Sequence, residues 1–171
     1  VPGAYMKGTL NADGTYTCQI SDKGKVGEYT ARTAPVIMPV NTGGYAAQKA
    51  PSSYAPKGLN TYLSQGFVYV FAGCRGRDNG TNPDGTTFDG GAPWGVTDLK
   101  AAVRYLRYND SFLPGNKDRI FTFGHSGGGA QSALMGATGD SELYRPYLDS
   151  IGALMKDDQG RELSDAIDGA M

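Results

Sequence analysis

The stretch RIFTFGHSGGGAQSALMGA, Arg119 to Ala137, constrains this chain more than any other. Arg119 to Gly124 is short, apolar in the main and rich in aromatic and β-branched residues, which is how a buried strand reads. The residues after Ser126 are small and run on as a helix. A strand that passes into a helix so abruptly needs a sharp turn with a strained residue at its apex. Residues two positions either side of that apex must be small to avoid a clash. Gly124-His125-Ser126-Gly127-Gly128 meets that demand, with Ser126 at the apex. No Gly-Lys-Ser/Thr follows the glycines, so a phosphate-binding loop is excluded.

The rest of the chain supplies a frame for this turn. "APVIMPV", Ala34 to Val40, is a continuously apolar run ending in "NTGG", as a buried parallel strand does. Pro35 and Pro39 keep it short. A helix is expected over Lys57 to Gln65, then a second buried strand, Phe67 to Gly73, and a long polar loop, Cys74 to Gly91. Val96, Leu99, Val103 and Leu106 recur at three- and four-residue steps, so Trp94 to Tyr108 reads as an amphipathic helix. A further helix is expected from Ser141 to Met155, capped by Asp140, and a short one over Glu162 to Ala170. Residues 1–33 are polar, with Tyr16 to Ile20 a short strand or an ordered loop. Strand, helix, strand, helix, strand, helix implies an α/β fold: a parallel sheet with helices on its faces.

In such a sheet reactive groups sit at the carboxyl ends of strands, where Ser126 lies. The pattern makes Ser126 a candidate nucleophile and the N–H of Gly127 a candidate oxyanion donor. Gly43 and Gly44, after the first strand, occupy the place of a second oxyanion loop; a plain glycine turn is the alternative. The base is missing. His125 is the only histidine. The residue before an apex serine points away from it, so His125 is expected to pack rather than react. A triad whose acid and histidine follow the serine cannot be completed here, because no histidine follows Ser126. Either the enzyme continues elsewhere or the base has been lost. Three strands are also less than half of such a sheet, so residues 1–171 are expected to be the N-terminal portion of one domain, completed by a further segment or a second chain.

Composition excludes several classes. With 16 basic and 17 acidic residues the chain has no footprint for nucleic acid. Its longest apolar run, Phe67 to Gly73, is far short of the roughly 20 residues that span a bilayer. One histidine and two distant cysteines, Cys18 and Cys74, offer no metal spacing, and no cofactor is expected. The compartment, cytoplasmic or secreted, is not legible.

"GAPWGVTDLKAAVRYLRYND" and "LPGNKDRIFTFGHSGGGAQSALMGATGDSELYRPYLDSIGA", with "PVIMPVNTGGY" and "FVYVFAGCRGR", resemble the bacterial tannases, the tannase and feruloyl-esterase-like group of the α/β-hydrolase superfamily. The resemblance spans most of residues 34–153. It implies the N-terminal part of an α/β-hydrolase fold and a serine esterase acting on galloyl-type phenolic esters. It further implies Ser126 as nucleophile, Gly127, Gly43 and Gly44 around the oxyanion, and a lid, catalytic Asp and catalytic His supplied from outside this chain. Other esterases or peptidases of the fold, and an inactive binding module, are the alternatives. Arg75 and Tyr45 are candidate substrate contacts, Arg75 at the rim and Tyr45 in the acyl pocket. Trp94 is expected in the core.

Overall fold

The computed structural model describes residues 1–53, 58–79 and 90–171. The start of the helix expected at Lys57 and most of the loop after Asn79 lie outside the described residues. The chain opens with an antiparallel hairpin, β1 (Met6–Leu10) and β2 (Tyr16–Ile20), so Tyr16 to Ile20 is a strand. A second small ladder follows, β3 (Lys25–Val26) with β4 (Tyr29–Thr30). Tyr5 pins this polar region to the body: its ring is fully buried and its hydroxyl donates to Gly66 O at 2.7 Å.

The body is a parallel sheet. β5 (Pro35–Val40) lies between β6 (Val68–Tyr69) and β7 (Asn116–Gly124), and β8 (Gly169–Ala170) adds to the far side of β7. Val36 sits opposite Ile120 and Val40 opposite Gly124. The register shift beside Pro35 sets the start of this alignment. Alternation along β5 sends Val36, Met38 and Val40 to one face, where α2 (Trp94–Tyr108) covers them with Val96, Leu99 and Val103. α3 (Gly127–Ala137) packs on the same face, with Thr122 and Ser132 sharing a buried hydroxyl hydrogen bond of 2.8 Å. On the opposite face, α1 (Asn60–Leu63) reaches the sheet through Tyr62, whose ring lies 6.0 Å from that of Phe123. Ile37, Phe121, Phe67 and Met171 line an apolar groove there, with Tyr62 of α1 at its wall.

Three expectations need correction. The second strand is two residues long, not seven. Beyond Ile37 the side chain of Gln48 takes the neighbour's place, donating Nε2–H to Pro39 O at 3.1 Å and Ala72 O at 2.6 Å. The helix expected from Ser141 to Met155 is a turn of 3-10 helix, Glu142–Tyr144, and then α4 (Arg145–Ser150). Gly152 ends it: the N–H of Ala153 reaches Leu148 O and that of Gly152 reaches Asp149 O, a Schellman closure at positive φ. Asp140 caps nothing in this helix; Ser141 does, and Asp140 instead accepts from Asp165 N and Ser164 Oγ. Glu162 to Ala170 is not a helix. It runs extended beside β7, with Asp168 N–H on Ile120 O, and closes as β8.

Candidate active site

Ser126 holds φ 56° and ψ −123° between β7 and α3, backbone territory that a side chain enters only at a cost of about 1–3 kcal/mol. The turn is as tight as the sequence demands. A Cβ on Gly128 would stand 1.9 Å from Val40 O, and one on Gly124 would stand 2.4 Å from the carbonyl carbon of Gly128. No side chain fits at either place, so β5, β7 and the first turn of α3 meet backbone to backbone. This contact presents the Ser126 side chain to solvent at the sheet's carboxyl edge.

The second glycine loop lies against the first. Gly43–Tyr45 forms one 3-10 turn, with Gly44 at φ 60° and Tyr45 at φ 62°. A Cβ on the buried Gly127 would lie 2.5 Å from Thr42 O, 2.7 Å from Tyr45 N and 3.2 Å from Gly44 N. The two segments that the sequence marked as candidate oxyanion donors, more than 80 residues apart, are therefore in contact. Among the described residues the N–H groups of Gly43, Gly44 and Gly127 donate to no protein acceptor, whereas Tyr45 N–H is spent on Thr42 O at 2.8 Å.

Buried amides hold this loop. Thr42 Oγ1 donates to Gln131 Oε1 at 2.9 Å, tying the loop to α3 five residues beyond Ser126. Gln48 Oε1 accepts Asn41 N–H at 2.5 Å. The segment Cys74–Asp78 closes the other side: Gln48 and Cys74 exchange both backbone hydrogen bonds, Arg77 N–H reaches Tyr45 O, and Asp78 accepts Ala47 N–H. Sequence reasoning passed over Gln48, Gln131 and Asp78, since nothing local marks a polar side chain whose partner is a distant backbone.

His125 does not pack. Its side chain is exposed, on the carboxyl side of Thr122, the last β7 residue that pairs with β8. Nor does it pair with its neighbour: among the described residues no hydrogen bond joins His125 to Ser126 Oγ. Arg75 grips Asp98 with two parallel hydrogen bonds, Nε at 2.9 Å and Nη2 at 2.7 Å, and lies 4.4 Å above the Trp94 ring. It ties the loop to α2. Trp94 is half-buried rather than in the core, its outer edge against Tyr147. Tyr45 is exposed but lines a cavity of about 350 Å³ with Arg77, Pro93, Val96, Gln131 and Leu134.

The architecture finds counterparts among known proteins. The model of the BD-FAE family matches residues 26–160. The chain belongs to the BD-FAE family. Its fold is part of an α/β-hydrolase fold, a parallel sheet with helices on its faces. A tannase from Fusobacterium nucleatum is 37% identical, with a TM-score of 0.72, across 98% of this chain and 35% of its own. A tannin acyl hydrolase from Lactobacillus plantarum in a cadmium form is also 37% identical, at TM-score 0.69, across 84% of this chain and 30% of its own. The native tannin acyl hydrolase of Lactobacillus plantarum is 29% identical, at TM-score 0.71, across 98% of this chain and 42% of its own. The chain spans less than half the length of each of these structures. No curated protein matches it.

Proposed function

We propose that this chain carries the nucleophile half of a serine esterase acting on galloyl-type phenolic esters. The observation that carries the reading is the strained apex of Ser126 beside three backbone N–H groups without acceptors among the described residues, those of Gly127, Gly43 and Gly44. Ser126 Oγ attacks the ester carbonyl and forms an acyl-enzyme. A histidine from outside this chain takes the Oγ proton and returns it to the departing alcohol, with an aspartate orienting it. The N–H of Gly127 and that of Gly43 or Gly44 hold the oxyanion, each donor contributing about 3 kcal/mol in comparable sites. Water then attacks the acyl-enzyme by the same path reversed.

The acyl specificity comes from the relatives. One tannin acyl hydrolase structure holds ethyl gallate and another holds 3,4-dihydroxybenzoate. The partner that completes the site is the remainder of the same protein or a second chain, which the open apolar face of the sheet would receive.

A fluorophosphonate probe tests the nucleophile in the complete protein. Ser126 is labelled, and Ser126→Ala loses the label. Equal labelling of the variant refutes the assignment. Turnover of methyl gallate above methyl ferulate and p-nitrophenyl acetate supports the galloyl specificity, and the reverse order replaces it with a broader esterase.

A further inference from the structure

The cavity beside the oxyanion loop contains two hydrogen-bond donors that the proposed chemistry leaves unused. The first is the carboxamide of Gln131. The residue is only 7% exposed, and its Oε1 is occupied by the Thr42 hydroxyl. Among the described residues its Nε2 donates to no acceptor, yet it is not sealed from solvent. The amide passes over Gly95, where a Cβ would stand 2.6 Å from Nε2, and both residues line the cavity. Any side chain at position 95 would therefore displace this amide. The cavity reaches this N–H, so a ligand acceptor that enters takes the place of water on it.

The second donor is Arg77. Its Nη2 lies 3.3 Å from the Cβ position of Gly44, at the cavity mouth. Among the described residues its guanidinium makes no hydrogen bond or ion pair, in contrast to Arg75 two residues earlier. The remaining wall is apolar or aromatic: Tyr45, Pro93, Val96, Leu134 and Tyr144. Burial pushes the Tyr144 hydroxyl above the usual phenol range, so it stays neutral. At about 350 Å³ the space admits a substituted ring.

We infer that this cavity is a subsite for an aromatic ring bearing an anionic oxygen, a carboxylate or an ionised phenol. Gln131 Nε2 and the Arg77 guanidinium are its two donors. A planar fork with one cation matches a planar anion better than it matches a neutral alcohol. The subsite rests on the esterase reading for its place in the reaction, but its ligand chemistry is measured without turnover.

Trp94 provides the readout. It is the chain's only tryptophan and stands between Pro93 and Gly95, both in the cavity wall. The protein is titrated with benzoate, with 4-nitrophenolate and with neutral benzyl alcohol, following Trp94 emission for the first and third and the backbone amide shifts of Gly95 and Tyr45 for all three. Benzoate is expected to saturate and to bind at least about tenfold more tightly than benzyl alcohol. Arg77→Ala should remove that preference, and Arg77→Lys should recover part of it. Gln131→Glu keeps an oxygen for Thr42 and replaces the donor with a charge, so it should weaken benzoate at least as much as Arg77→Ala does. Nitrophenolate binding in place of benzoate identifies the phenolate as the source of the anion. Equal affinity for benzoate and benzyl alcohol, or no change in Arg77→Ala, overturns the subsite, as does failure of all three to bind. If benzoate binds through Arg77 while fluorophosphonate leaves Ser126 unlabelled in the complete protein, the subsite stands and the esterase reading falls.

Discussion

Two parts of this molecule are equally tight and are held in opposite ways. The turn around Ser126 is closed by backbone against backbone, with side chains forbidden at Gly124 and Gly128. Some distance along the sheet, the extended C-terminal segment is held by buried charge. Lys100, with its side chain wholly buried, donates to Asp165 Oδ1 at 2.6 Å and to Thr138 O at 2.5 Å. Arg104 grips Asp165 Oδ2 through Nε at 2.8 Å and Nη2 at 2.6 Å and also bonds Leu163 O. The Asp140 N–H completes the shell of the same carboxylate. The turn works by what is left out of the sequence, and the cluster by what has been put in. A defect at the turn is therefore a collision, whereas a defect in the cluster is an unpaired charge.

The larger of these penalties belongs to the cluster. Asp165→Ala leaves Lys100 buried without its anion and Arg104 with only Asp140 at 3.7 Å, and breaking a buried pair in this way costs about 3–5 kcal/mol. Urea unfolding of the variant should show a loss of that size, with the C-terminal segment released from β7. A loss below about 1 kcal/mol would mean that the cations are rehydrated and that the remaining hydrogen bonds hold the segment.

Gly128→Ala comes next. Its methyl group would meet Val40 O at 1.9 Å, and only a shift of β5 or α3 relieves the contact. Overpacking of this kind costs about 1–3 kcal/mol. Function should suffer more than stability, because the shift parts Ser126 from the Gly43–Gly44 loop. In the complete protein the fluorophosphonate label should fall much further than the unfolding midpoint does. A label retained at the parent rate would show that the turn tolerates a wider geometry than its contacts suggest.

These two regions also differ in how far the sequence discloses them. The turn was legible because its cause is local: the spacing of Gly124, Ser126 and Gly128 records a steric demand. For the same reason α2 falls on Trp94–Tyr108 as its periodicity indicates, and β5 falls within Ala34 to Val40. The cluster joins residues 61 and 65 positions apart, and no local pattern reveals such partners. The sequence analysis drew no partner for Lys100 or Arg104, which are buried beside the apolar side of α2. Asp140 read as a helix cap because its other partner, the Asp165 backbone, is remote. The extended run of residues 162–170 was missed for a related reason: its ladder comes from β7, not from its own propensity. Gly152 is different, since it was a legible stop for α4 that the apolar spacing of Leu148 and Ile151 masked. At the site, the contact between Gly127 and the Gly43–Gly44 loop was anticipated, while the amides that fix it, Gln48 and Gln131, were not.

Acid should separate the two regions further. Burial acts to raise the Asp165 pKa, but the hydrogen bonds from Lys100, the Asp140 N–H and Arg104 outweigh it and hold the carboxyl below the usual carboxylate range. The unfolded chain therefore binds this proton at higher pH than the folded one. The contribution is fully present above the ordinary carboxylate value of about 4 and is lost as pH falls through the lower folded value. Thermal midpoints of the parent should be flat above about pH 5 and drop below about pH 4, and Asp165→Asn should flatten that drop. The Ser126 turn contains no titrating carboxylate, so Gly128→Ala should follow the parent's acid profile from a lower starting point. An acid profile unchanged in Asp165→Asn would place the sensitive carboxylate elsewhere.

The smallest effect tests whether distance or burial sets these values. Arg161 Nε lies 2.6 Å from Asp157 Oδ2, as close as Lys100 lies to Asp165. Water surrounds the Arg161 head, whose side chain is 73% exposed. In that setting the ion pair is screened, and holding two long side chains together offsets its attraction. Asp157 has a second task that does not need the guanidinium: its Oδ1 accepts the backbone N–H groups of Gln159 and Arg161 at 2.9 Å each. These bonds, the Arg161 N–H first, keep the carboxyl below its ordinary range. Arg161→Ala should leave the unfolding midpoint within error of the parent, and raising the salt concentration should not separate the two. A measurable loss would show that the exposed pair acts like the buried one, and proximity rather than desolvation would then have to explain why the Asp165 cluster is strong.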